Sequence, residues 1–230
     1  MRKFIVLIIL LLIAFSNINF AQWTSIGGPE GGEIAAITNA GSYIVCGAAD
    51  GDIFTSVDNG VTWTKRGKVP GFFITRLTAG SEALFARSSN GLYRSTNQGD
   101  TWELKLDPGV FIGKVFAAGT QVLAPTGNGL FYSTNSGTSW TNVTGNLPLT
   151  VHAAVIHNGD MFAGMLDSAV YRSTNNGVTW TRSWNIANKR NINFLASFGN
   201  TLYAAYSNEA RIFSSTDNGV NWSQSDILAI

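Results

Sequence analysis

Apolar and polar positions alternate along most of this chain in short runs, set apart by glycine, asparagine, aspartate and proline. Leu92-Tyr93-Arg94-Ser95 and Val170-Tyr171-Arg172-Ser173 read this way, and a period of two is that of a half-buried strand. No stretch holds a helical apolar period over a length that would build a helix. First strands of five units are predicted near Ile34 to Ile37, Ile74 to Leu77, Val115 to Ala117, Val151 to Ile156 and Ile192 to Ala196. Second strands are predicted near Tyr43 to Cys46, Leu84 to Ala86, Val122 to Ala124, Met161 to Ala163 and Leu202 to Ala205. Asn90-Gly91 and Asn128-Gly129 predict type I′ hairpins into the third strands, a turn that needs positive φ at both central residues.

Each unit then carries the same box, aromatic-x-Ser-x-(Asp or Asn)-x-Gly-x-x-Trp. Its copies are Phe54 to Trp63, Tyr93 to Trp102, Phe131 to Trp140, Tyr171 to Trp180 and Phe213 to Trp222. The steps between tryptophans are 39, 38, 40 and 42 residues (63, 102, 140, 180, 222), a near-constant period that marks a repeat architecture. A short acceptor side chain at Asp58, Asn97, Asn135, Asn175 and Asp217 can take backbone N–H groups ahead of it and turn the chain. Gly60, Gly99, Gly137, Gly177 and Gly219 supply positive φ. Ser56, Ser95, Ser133, Ser173 and Ser215 precede the turn, and Trp63, Trp102, Trp140, Trp180 and Trp222 give stacked layers a shared packing block.

The box resembles the Asp box of the BNR repeat family, S-x-D-x-G-x-x-W, and the resemblance covers nearly all of the chain after the first twenty or so residues. It implies an all-β β-propeller of four-stranded antiparallel blades, with the box between the third and fourth strands. Five blades are visible, approximately 33–68, 72–108, 111–148, 150–186 and 190–230. Asn replaces the acid in three boxes, and a residue that keeps the hydrogen bonds while losing the charge fits a structural turn better than a metal ligand or catalytic acid.

Residues 1–21 read as a secretory signal peptide: Arg2 and Lys3, an apolar run from Phe4 to Phe15, and Ala21 as a small residue before cleavage. The mature chain, 22–230, then opens with Gln22 to Gly27, which looks like a fourth strand without its box and would close the last blade. Five repeats already hold five fourth strands, so this strand is one too many for a five-bladed ring. The expectations are missing blades after Ile230, a ring with one displaced strand, or an open arc that closes by dimerisation with a second chain.

Net charge changes the picture only by exclusion. Cleavage takes two of 15 basic residues and none of 14 acidic ones, and 13 minus 14 leaves about −1, so no global field attracts nucleic acid or an anionic membrane. No membrane span is expected after cleavage, and the protein is expected to be secreted or periplasmic. One cysteine, Cys46, rules out an intrachain disulfide and reads as a small buried hydrophobe. Twenty-five glycines beside 5 prolines fit many tight turns. His152 and His157 lack the paired spacing of a metal site, and no cofactor motif is present, so neither metal nor cofactor is expected.

Two kinds of chemistry remain. The resemblance extends to sialidases and xyloglucan-degrading enzymes, which implies glycoside hydrolysis by two carboxyl groups about 5 to 9.5 Å apart. Mouth acids are Glu30, Glu33, Asp50, Asp52, Asp107, Asp167 and Glu209, with Asp50 and Asp167 the catalytic candidates, although Asp50-Gly51 equally makes a turn. The sialidase kind also needs three converging arginines and an Arg-Ile-Pro motif; no Arg-Ile-Pro is present, and Arg94 and Arg172, at equivalent positions inside the repeat, read as exposed framework residues. The leading expectation is a secreted non-enzymatic module that binds a protein or polysaccharide through loops on one face, with Phe72, Phe111, Trp184, Lys189 and Arg190 as contacts. The third is an assembly factor, because photosystem II stability factors and sortilin-type receptors share the repeat.

Overall fold

In the computed structural model, residues 28–29, 32–71, 73–107, 111–148, 150–166, 169–185, 191–206 and 211–225 are described. The leader, the 22–27 strand, Glu30, Phe72, Asp167, Lys189, Arg190 and Glu209 lie outside them. The described residues hold only strands and turns.

Five antiparallel four-stranded sheets follow one another, each a simple meander. Blade one holds β1 (Ile34–Asn39), β2 (Ile44–Ala48), β3 (Asp52–Ser56) and β4 (Thr64–Lys68); blade two holds β5 (Arg76–Ala79), β6 (Leu84–Ser88), β7 (Gly91–Ser95) and β8 (Glu103–Leu106). Blade three holds β9 (Phe116–Ala118), β10 (Gln121–Thr126), β11 (Gly129–Ser133) and β12 (Thr141–Asn142). Blade four holds β13 (Val151–His157), β14 (Asp160–Met165), β15 (Ala169–Ser173) and β16 (Thr181–Asn185), and blade five holds β17 (Ile192–Phe198), β18 (Thr201–Tyr206), β19 (Ile212–Ser215) and β20 (Ser223–Ser225).

The hydrophobic interior is four separate clusters, one per seam between neighbouring blades. Val45 and Ile53 meet Leu77 and Leu84; Phe85 and Leu92 meet Val115 and Val122; Leu123 and Leu130 meet Val151 and Met161; Val155 and Phe162 meet Leu195 and Leu202. Period-two alternation produces this directly: odd and even positions of one strand serve opposite seams. First strands touch in succession, β1 to β5, β5 to β9, β9 to β13 and β13 to β17. Among the described residues no comparable contact returns from β17 to β1, so the described sheets form an arc. Its ends show apolar side chains, Ile37 at 64% on β1 and Phe198 at 80% on β17.

The type I′ turns lie elsewhere than the sequence pattern predicts. Asn90 has no positive φ; Ser89-Asn90 turns between the paired Ser88 and Gly91, and only Gly91 is positive, at 146°. In Asn128-Gly129 likewise only the glycine is positive, at 116°. Both central residues are positive in every box, as in Asn59 (58°) with Gly60 (90°), where Val61 N–H donates to the Asp58 carbonyl at 3.4 Å.

Candidate functional site

The box geometry is the same five times. Ser173 Oγ donates to Asn175 Oδ1 and accepts the Gly177 N–H, each at 2.9 Å, while Asn175 Oδ1 accepts the Thr179 N–H at 2.9 Å. Ser56, Ser95, Ser133 and Ser215 accept from Gly60, Gly99, Gly137 and Gly219 in the same way. Asp58, Asn97, Asn135 and Asp217 accept the N–H four residues ahead, at 2.8–3.0 Å. The glycine has a second duty at the seam. A Cβ on Gly137 would lie 2.5 Å from Phe85 of the preceding blade, and one on Gly177 2.5 Å from Val143. Trp102, Trp180 and Trp222 donate Nε1–H to the carbonyl of their own box glycine at 3.0, 3.1 and 3.2 Å, whereas Trp63 and Trp140 bury Nε1 without a partner.

Asp58 and Asp217 are each absorbed by their own turn. Hydrogen bonds from the Thr62 hydroxyl and N–H and from the Ser56 hydroxyl pull the Asp58 carboxyl down to about 2. The Asn221 N–H, its side-chain amide and the Ser215 hydroxyl do the same for Asp217, also to about 2. A carboxylate so held is a poor proton donor.

Asp50 also belongs to a turn. Its Oδ1 accepts the Asp52 N–H at 3.1 Å, and Gly51 N–H donates to the Ala48 carbonyl at 3.0 Å. The Asp52 N–H first, then Lys68, hold its carboxyl below the usual value. Lys68 Nζ lies 3.6 Å from Asp50 and 3.7 Å from Asp52, and Asp52 also receives Lys65. One ammonium group thus lies within 3.7 Å of both acids. Burial raises the Cys46 thiol to about 11, the environment of an inert sulfur. Among the described residues no three of His, Cys, Asp and Glu come together to hold a metal. His157 is buried, with Nδ1 2.7 Å from Ser197 Oγ of blade five.

The aromatic candidates separate. Trp184 stacks on Trp222 at 4.9 Å and packs against Phe213 at 4.6 Å, so its ring serves the seam between blades four and five. Phe111 is 51% exposed and lines a cavity of about 370 Å³ between blades two and three, together with Thr75, Arg87, Ser88, Asn90 and Asp107. The Arg87 guanidinium lies over the Phe111 ring at 4.5 Å. Motif and spacing do not single out Arg87 or its neighbour Arg76. A signal exists all the same: aligning the repeats puts Ala36–Gly47 and Ala153–Gly164 at the places that Arg76–Arg87 fill in blade two.

Comparison with known proteins agrees with this geometry. The GH74 enzyme of Niastella koreensis is similar at 21% identity and a TM-score of 0.56, over 82% of this chain and 30% of that one. YCF48 bound to D1 peptide is similar at 15% identity and a TM-score of 0.60, over 90% and 72%. PorZ, a surface component of the type-IX secretion system of Porphyromonas gingivalis, is similar at 18% identity and a TM-score of 0.62, over 84% and 27%. The chain thus spans under a third of the GH74 enzyme and of PorZ, and at these identities the likeness concerns the fold, that of BNR-type propellers. No curated protein matches the sequence. A family model matches residues 110–229, just over half of the chain, and the chain belongs to the DUF6242 β-propeller domain family.

Proposed function

We propose that this propeller is a non-enzymatic binding module working outside the cytoplasm, recognising a protein or glycan partner through the loops at the mouth between blades two and three. The observation that carries the reading is the cavity of about 370 Å³ with Phe111, Arg87, Asn90 and Asp107 on its walls, within the size range of ligand sites. Around it the blades are a rigid frame of buried seams, the usual division between stability and recognition. The acids argue in the same direction, since Asp50, Asp58 and Asp217 are all committed to turns and their carboxyls lie below the ordinary value. Placement outside the cytoplasm is supported by the leader-like start of the sequence and by PorZ, which is a bacterial surface component. No helix of the described residues is long and apolar enough to cross a membrane.

Peptide and glycan arrays, with reducing-sugar release from xyloglucan and sialosides measured in parallel, test the reading. Binding that F111A abolishes and D50A leaves intact, with no sugar released, is expected. Sugar release that D50A removes would replace the binding module with a glycoside hydrolase.

A further inference from the structure

Arg76 and Arg87 are directly opposed partners on β5 and β6. Partners in such a pair point to the same face of the sheet, and like charges placed so repel. Among the described residues no carboxylate forms an ion pair with either of them. The corresponding pairs in blades one and four are Ala36–Gly47 and Ala153–Gly164, small because the next blade docks there. A Cβ on Gly47 would meet Ile74 at 3.1 Å, and one on Gly164 would meet Ile192 at 2.6 Å. Blade two therefore departs from the small pairs of blades one and four, and it does so with two cations; blade five, at the end of the arc, carries Phe194–Ala205 at this position.

Lys114 of blade three adds a third cation, exposed and without an ion pair among the described residues. It shares with Arg76 a second hollow of about 180 Å³, and Thr75 lines both this hollow and the cavity that holds Arg87. The three cations thus border two hollows that meet at Thr75, the second of them reaching Ala35 to Ile37 of blade one. Partial burial first, and Arg76 second, depress the Arg87 guanidinium, so a counter-charge there would relieve two costs at once.

We infer that this pair of hollows binds an acidic peptide segment, its carboxylates pairing with Arg87, Arg76 and Lys114. The inference rests on the binding-module reading above and narrows it. Several cations spread over two adjoining hollows match a run of carboxylates better than one. A sugar ring would want the face of Phe111, but Arg87 covers one side of it and His152 lies 5.9 Å away; a peptide paired to the guanidinium leaves that stack in place.

The test is fluorescence anisotropy of a labelled octaglutamate peptide with the purified protein, beside an octaglutamine peptide and oligogalacturonate, at about 50 mM and about 300 mM salt. Octaglutamate should bind, weaken with salt, and lose at least about tenfold in R76Q/R87Q and about threefold in K114Q, with unchanged melting. Equal affinity in wild type and in a folded R76Q/R87Q variant overturns the inference, and so does oligogalacturonate binding with octaglutamate silent. If octaglutamate fails while an array ligand of other chemistry binds through Phe111, the acidic-peptide assignment falls and the binding module stands. If nothing binds, both fall.

Discussion

The seam between blades four and five and the seam between blades two and three come from the same repeat and differ most at one cross-strand pair. In the first, Ala153 and Gly164 leave room for Ile192, and Phe162 is fully buried against Leu202 and Phe213. In the second, Arg76 and Arg87 occupy that pair and the seam opens into a cavity. Phe85, Leu92 and Val122 still pack together as its buried cluster. A repeat protein carries its own control: positions that recur are frame, and a position that breaks the recurrence without a packing gain is where to look for recognition.

The largest expected effect is at the closed seam. Phe162 has no exposed surface and touches the spot where a Gly219 Cβ would be, 2.6 Å away. Truncation in F162A should cost about 3–5 kcal/mol in urea unfolding, through lost burial and a cavity that two packed sheets cannot collapse. A loss under about 1 kcal/mol would mean that this seam is as loose as the other, and the contrast would disappear.

Next comes the box serine. In S173A the buried Gly177 N–H loses its acceptor and Asn175 loses a donor, which should cost about 1–3 kcal/mol. Because all five boxes share this bond, S95A in blade two should cost a similar amount. Unequal costs would show that the box is worth more at one seam than another.

These frame positions are legible in the sequence alone. The tryptophan period and the alternating runs predict five meandering blades because both patterns follow from which side faces a seam. Strand limits differ from the pattern by a residue or two: β5 starts at Arg76 and not at Ile74, whose side chain fills the seam beside Gly47. The I′ turns are misplaced by the pattern because Asn-Gly is ambiguous by itself. At Asn90-Gly91 the glycine already pairs in β7, while at Asn59-Gly60 both residues are free to turn. The site is barely legible. Phe111 stands out by its loop, but the Arg76–Arg87 pair needs strand register, which local sequence does not carry.

Removing the charge at the open seam should change stability little. R76Q/R87Q relieves a like-charge pair, so its unfolding free energy should stay within about 1 kcal/mol of wild type, on the stabilised side. A loss above about 2 kcal/mol would make the arginines part of the frame, and the two seams would then differ only in the means by which they are held.

The smallest effect concerns the acids that the repeat treats as interchangeable with asparagine. Asp58 and Asp217 have carboxyls lowered to about 2 against an ordinary 3.8, through hydrogen bonds received within their own turns. A depressed carboxyl stabilises the fold while ionised, so that contribution is complete above about pH 4 and is lost as pH falls towards about 2. In D58N the amide oxygen still accepts the Thr62 N–H, as Asn97 Oδ1 accepts that of Thr101 at 3.0 Å, and melting at neutral pH should hardly move. Between pH 4 and 2, however, D58N should lose less stability than wild type, and D58N/D217N less again. Thermal melts across that window decide it: if the double variant keeps the wild-type acid limb, the acids gain nothing from their turns that asparagine does not, and the acid sensitivity must come from ion pairs such as Arg172 with Asp160 at 2.6 Å.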